Sequence, residues 1–173
     1  MFGIEYDWQE TNNIKDMGYN LSNKSKMRLE GVHPFLIDTI NEAIKNSPDD
    51  FGIPMYGGLR TSADQQKLYA KGRTIESLEK GEKVVTYTDG INKLSKHQMK
   101  DGYGQAFDIY IFDHFTNKAS WNVDRLSAVA IHIIKTSEII KDANPQYKDM
   151  VISWGGNWNK FKDYPHFQID YIK

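Results

Sequence analysis

Three segments far apart in the chain carry its chemistry: Ser95-Lys96-His97, Ala106-Phe107-Asp108 and Asp163-Tyr164-Pro165-His166. Two imidazoles, His97 and His166, with one carboxylate, Asp108, make a ligand set for Zn²⁺ that leaves a fourth tetrahedral position open to water. A water so placed has a pKa of about 7 and can attack a carbonyl group. Asp163, three residues before His166, is the candidate for taking that water's proton. The sequence contains no cysteine, which removes thiol catalysis, disulfides and Cys-type zinc sites, so any zinc is held by His, Asp or Glu.

Each of these residues also has a plain structural explanation. Asp108 could be a strand residue facing water, with Phe107, Ile109 and Ile111 supplying the buried face; pointing inward, it would be costly unless paired or metal-bound. Asp163, Tyr164 and Pro165 could form no more than a turn. The chain has five histidines. Of the other three, His132 lies on the flank of a long apolar-striped helix and reads as structural. His33, before Pro34, reads as a capping or packing residue, and His114 is a substitute ligand. The joint occurrence of His97, Asp108, Asp163 and His166 favours the functional reading.

Positioning these groups falls to elements legible from pattern. Pro34 opens a helix carrying Leu36, Ile37, Ile40, Ala43 and Ile44 at helical spacing. Residues 51–59 suggest a strand broken by turn residues. Ser62-Ala63-Asp64-Gln65 has the form of a capping box opening a helix that ends at Gly72. Residues 73–104 read as a long polar loop with a short helical piece near 75–80. Residues 106–112 read as one strand, 122–142 as the clearest helix, and 151–154 and 166–170 as two further strands. Helices and short strands without a βαβ rhythm predict an α+β fold, one domain with a small antiparallel sheet packed by helices. Residues 1–31 read as a polar lead-in and 32–173 as the domain itself.

With 173 residues the chain suits one domain, and a net charge of −1 with 26% charged residues gives no basic face for nucleic acid or an anionic membrane. No stretch has the ~20 apolar residues of a membrane span, and the first residues carry no apolar run of signal-peptide length. The expectation is a soluble product of the host cytoplasm, without stable membrane association.

The motifs resemble the zinc peptidase family that includes VanX- and VanY-type D,D-peptidases and the L-alanyl-D-glutamate endopeptidases of tailed-phage endolysins. Gly57-Gly58-Leu59-Arg60-Thr61-Ser62 with Gln65, Leu68 and Tyr69 looks like the family's arginine-bearing strand and following helix. Ser95-x-His97 with Gly104-x-Ala106-x-Asp108 looks like its first zinc motif, and Asp163-x-x-His166 like its closing one. Trp154-Gly155-Gly156-Asn157-Trp158 resembles the endolysin branch. One departure is visible: residues 98–103 read as the family loop with about four inserted residues, which a glycine-bearing loop tolerates.

The resemblance implies a fold of the kind shared by hedgehog-type and D,D-peptidase domains. It implies zinc on His97, Asp108 and His166, Asp163 as general base, and Arg60 stabilising charge on the carbonyl oxygen. Gln65, Ser95, Tyr103 and Trp154, with Trp158, become candidates for substrate binding or for the groove wall. Gln65 is equally explained by capping, Ser95 by orienting a ligand, and the aromatics by the core. The implied activity is hydrolysis of the L-Ala–D-Glu bond of the peptidoglycan stem peptide by a monomeric phage or prophage endolysin, held in the host cytoplasm until release to the wall. Two alternatives stay open: a D-Ala-D-Ala dipeptidase or carboxypeptidase on the same scaffold, and a non-catalytic peptide-binding module of this fold.

Overall fold

Two helices with apolar stripes build the core. Helix α2 (Pro34–Ala43) turns Phe35, Leu36, Ile40 and Ala43 inward against Leu126, Val129, Ala130 and Ile133 of α5 (Val123–Ala143), and all eight are almost wholly buried. Pro34 occupies the first turn of α2, where its missing N–H is harmless, and the Nδ1 of His33 accepts from the Phe35 amide as the cap. Asn122 caps α5 in the same way. His132, on the flank of α5, bonds the Ala43 carbonyl through Nε2 and ties the two helices.

The computed structural model describes residues 18–172. It is an α+β fold with three small antiparallel sheets. Strand β4 (Ala106–Asp108) pairs with β8 (His166–Tyr171), which pairs in turn with β7 (Met150–Trp154). A second sheet joins β1 (Phe51–Gly52), β5 (Tyr110–Asp113) and β6 (Lys118–Ser120). The third is a hairpin of β2 (Met99–Lys100) and β3 (Tyr103–Gly104).

Several expectations need correction. The strand expected over 106–112 is two strands in different sheets, parted at Ile109, whose amide bonds Pro165 instead of a ladder partner. Crossing between sheets buries Ala106, Phe107, Ile109 and Ile111 together, while Asp108, Tyr110 and Phe112 stay partly exposed. Phe107 stacks on Phe167 at a ring separation of 5.0 Å. The strand expected over 51–59 stops at Gly52, because Pro54, Gly57 and Gly58 shape a turn closed by Gly57 N–H to the Pro54 carbonyl. The capping box of α3 (Ser62–Ala70) starts one residue early: Thr61 is the cap and Asp64 its reciprocal partner, which frees Gln65 from that duty. The expected short helical piece is α4 (Ile75–Glu79).

The expected lead-in over 1–31 falls in two parts. Residues 1–17 lie outside the described residues. Residues 18–31 include α1 (Asn23–Arg28), and Leu21 and Leu29 beside it join the core, so a boundary at residue 31 cuts through packed structure. Polar composition misleads here because a few apolar side chains, Leu21 and Leu29 with Tyr19 packed against the core, carry the packing.

The inserted residues between His97 and Asp108 close on themselves. Met99 faces Gly104 and Lys100 faces Tyr103, and the turn residues Asp101 and Gly102 have φ of 54° and 89°. Two consecutive positive-φ residues, the second a glycine, suit the tight turn that joins antiparallel strands. The insertion therefore grows outward as a hairpin and leaves its two ends side by side.

Gly58 marks the tightest approach near the site: a Cβ there would lie 1.8 Å from the Arg28 carbonyl oxygen. Gly58→Ala is expected to cost roughly 1–3 kcal/mol or more of stability, because backbone must shift to admit it. Urea unfolding measures it, and an unchanged midpoint would contradict the packing described.

Candidate metal centre and cleft

Antiparallel pairing of β4 with β8 sets Asp108 directly opposite His166. His97 enters from the base of the β2–β3 hairpin, and the loop between β1 and α3 supplies the Gly58 carbonyl beneath it. One atom from each of the three converges: His97 Nε2 lies 3.1 Å from His166 Nδ1 and 3.2 Å from Asp108 Oδ1, and His166 Nδ1 lies 2.9 Å from the same oxygen. Ligands of a tetrahedral ion with bonds of about 2.0–2.1 Å stand roughly 3.3 Å apart, so this triangle is close to the size a zinc ion needs. Among the described residues it is the group of His, Asp or Glu side chains that could hold a metal ion.

The remaining atom of each ligand is occupied, and this is what aims the three inward. His97 Nδ1 is 2.9 Å from the Gly58 carbonyl, which can only accept, so the proton sits on Nδ1 and Nε2 is free. His166 Nε2 is 3.2 Å from Gln168 Oε1. That amide is oriented by its own donor, which gives a 2.8 Å bond to Asp170 Oδ1, so its oxygen must face the histidine. Asp108 Oδ2 accepts from Arg60 Nη2 at 2.5 Å. Partners of this kind fix ligand orientation in metal sites.

Charge follows from burial and these contacts. Burial pushes the His97 pKa down to about 4, so its ring is neutral near pH 7. Burial disfavours an ionised Asp108, but the imidazoles and the Arg60 guanidinium around it outweigh that and hold its carboxyl well below the usual carboxylate range. Burial also opposes a charge on His166; its hydrogen bond to Asp108 and the charges of Asp108 and Asp163 prevail and raise its pKa. Without a metal, a proton on His166 Nδ1 is therefore what holds two imidazoles and a carboxylate together. Asp163 has a pKa raised to about 6, by burial first and by the Asp108 charge second.

The three groups open into a cleft of about 740 Å³, lined also by Arg60, Ser95, Asp163, Gln168, Tyr87, Trp121, Trp158 and Phe161. The Trp158 ring stands 5.2 Å from that of His166. Ser95 lines the cleft, and its hydroxyl accepts from the His97 amide at 3.3 Å. Arg60 also bonds the Tyr56 carbonyl and Gln65, so its guanidinium is braced on three sides.

Three expected residues lie elsewhere. Trp154 turns away from the cleft, donating Nε1–H to the Tyr164 carbonyl and packing on the Tyr164 ring. Tyr103 sits on the outward hairpin against His33. Gln65 is fully buried behind Arg60 and does not reach the open cleft. His114 pairs with Asp50 at 2.8 Å, outside the metal-capable group. Gln168, Tyr87 and Phe161 went unread in the sequence. Only Gln168 left a signal there, two residues past His166 and so on the same face of its strand.

Comparison with known proteins agrees with this arrangement. A family model described as D-alanyl-D-alanine carboxypeptidase matches residues 89–169, the span holding His97, Asp108, Asp163 and His166. The peptidoglycan L-alanyl-D-glutamate endopeptidase CwlK of Bacillus subtilis is 26% identical over 176 aligned residues, covering 96% of this chain and 84% of its own length. In fold, the chain is like the crystal structure of the Serratia marcescens L-Ala D-Glu endopeptidase ChiX. The TM-score is 0.60 at 24% identity, over 92% of this chain and 94% of that one. By these likenesses the chain resembles the VanX/VanY-type metallopeptidases, and it is an enzyme, a hydrolase.

The geometry predicts uptake of about one divalent ion per chain. His166→Ala removes that uptake, whereas His114→Ala leaves it; elemental analysis after dialysis reads both, and metal retained by His166→Ala would contradict the site. Because His166 carries a proton in the metal-free site below its raised pKa, the ion must displace it. Affinity therefore rises with pH through that pKa and then levels. Calorimetry in buffers of different ionisation enthalpy measures the proton released near pH 6.5, and uptake without proton release would place the ion elsewhere.

Proposed function

We propose that this chain is a zinc endopeptidase that hydrolyses the L-Ala–D-Glu bond of peptidoglycan stem peptides, acting as the lysin of a phage or prophage. It works as a monomer, accumulates in the host cytoplasm and reaches the wall on release. The observation that carries the reading is the convergence of His97 Nε2, Asp108 Oδ1 and His166 Nδ1, each freed by a partner on its other atom. The likeness to CwlK supports the choice of bond.

His97 and His166 donate as neutral imidazoles and Asp108 as a carboxylate, which the Arg60 charge keeps ionised. These three residues would hold zinc, which when bound would supply positive charge and would lower the pKa of a bound water. Asp163, ionised above a pH of about 6 in a cleft open to substrate, takes a proton from the attacking water. The C–N bond breaks, and Asp163 returns that proton to the departing nitrogen. Guanidinium N–H groups of Arg60 not bound to Asp108, Gln65 or Tyr56 face the carbonyl oxygen as it gains charge. Tyr87, Phe161 and Trp158 wall the groove and exclude bulk water from the reacting bond.

Asp163→Asn keeps the ligands and is expected to retain metal while losing about 10²-fold or more in rate. Digestion of purified peptidoglycan, with mass spectrometry of the fragments, tests both bond and base. The reading expects new N-terminal D-Glu with L-Ala left on the glycan, and a variant that hardly cuts. Released D-Ala would instead support a D,D-peptidase, consistent with the description of the matching family. Cleavage by Asp163→Asn at the wild-type rate would remove Asp163 from the mechanism.

A further inference from the structure

Gln65 has no exposed surface and lies behind the cleft, yet its amide bonds residues from two separate parts of the cleft wall. Its Oε1 accepts from Arg60 Nη1 at 3.2 Å, and its Nε2 donates to the Thr88 carbonyl at 2.8 Å and to the Thr86 hydroxyl at 3.2 Å. This orientation is forced, since a guanidinium only donates and a carbonyl only accepts. Thr86, Tyr87 and Thr88 form part of the cleft lining, and Arg60 lies on its metal side. One buried amide thus holds the Asp108 anchor and the groove wall at once.

The wall is seated closely on this residue. Gly90 adopts a φ of +79°, and a Cβ there would come within 2.6 Å of Gln65 Cγ and 2.8 Å of its Cβ. A second buried glutamine, Gln98, grips the far end of the same loop: its Nε2 donates to the Gly90 carbonyl at 2.9 Å, and its Oε1 accepts from the Ser95 amide at 2.9 Å. Arg73 Nη2 adds a bond to the Thr86 carbonyl at 2.8 Å. What the loop delivers is Tyr87, whose ring meets Phe161 edge to face at 5.2 Å, both rings lining the cleft.

We propose that Gln65 is a positioning residue that locks Arg60 and the 86–88 wall into one register, so that the reacting centre and the groove for the peptide are set by the same side chain. The proposal rests on the peptidase reading of the cleft. Removing the amide releases both parts together: Arg60 loses a brace that fixes Asp108, which lowers kcat, and the wall loses its anchor, which raises KM. A part played only in stability would lower the melting temperature and leave both constants unchanged well below it.

Gln65→Met keeps the length and apolar stem without the amide, and Thr86→Val removes only the wall-side hydroxyl. In the zinc-loaded full chain, Gln65→Met is expected to lower kcat and raise KM, each roughly tenfold, for leaving buried groups unpaired. Thr86→Val shifts KM more than kcat. Amide hydrogen exchange of the same proteins is expected to quicken at residues 86–90 in both variants. Unchanged kcat and KM in folded Gln65→Met overturns the proposal, and so does unchanged exchange at 86–90. If Gln65→Met does not fold, Thr86→Val decides by the same readouts. Should the wild-type protein leave L-Ala–D-Glu substrates uncut, the peptidase reading fails, while the exchange data still decide whether Gln65 ties the wall.

Discussion

The site depends on one register: Asp108 of β4 opposite His166 of β8. Side chains alternate across a strand, so a slip of one residue would turn Asp108 to the other face and separate it from the histidine. The pairing is pinned from within by Phe107 stacked on Phe167, immediately beside the ligands and wholly buried. It is pinned from outside by β7, whose pairing with β8 runs from Met150–Tyr171 to Trp154–Phe167. Core packing and ligand placement are therefore the same constraint.

That register creates an electrostatic debt at Asp108, a carboxylate whose side chain is only 16% exposed. A buried charge needs compensation or it neutralises. Here Arg60 takes one oxygen, and the two imidazoles face the other. The imidazoles are held in the useful tautomers by acceptors that cannot be satisfied any other way, the Gly58 carbonyl and the Gln168 oxygen. Gln168 in turn leans on Asp170, which also receives Ser153 Oγ and faces Lys96. The arrangement places polar groups behind the ligands so that the ligand atoms themselves turn toward one another at the cleft, with Asp163 nearby in a setting that favours its protonated form.

Much of this is legible in the sequence. Helices α2 and α5 declared themselves by apolar stripes and caps, and the α+β character followed from the absence of a βαβ rhythm. His97, Asp108 and His166 could be grouped because their residue types suit one metal and little else in a cysteine-free chain. What escaped the sequence was non-local. The break at Ile109 arises because neighbouring residues pair with strands on opposite sides of the chain, which periodicity within 106–112 does not reveal. Gln65 loses its capping-box reading to Thr61, and two of its three partners, Thr86 and Thr88, lie 21 and 23 residues away, beyond any local pattern. Trp154 and Tyr103 look like groove residues because aromatic side chains near a site are alike in sequence, whether they face a ligand or a neighbouring strand. The insertion after His97 resolves into a hairpin whose turn carries a glycine, so the ligands meet despite it.

The central claim is that His97, Asp108 and His166 hold a zinc ion with room for water. X-ray absorption at the zinc edge of the metal-loaded protein tests it most directly. The account predicts a first shell of about two imidazole nitrogens with oxygen ligands at roughly 2.0–2.2 Å, four in all. A shell with fewer imidazoles, or one unchanged when His97 or His166 is replaced, would contradict it.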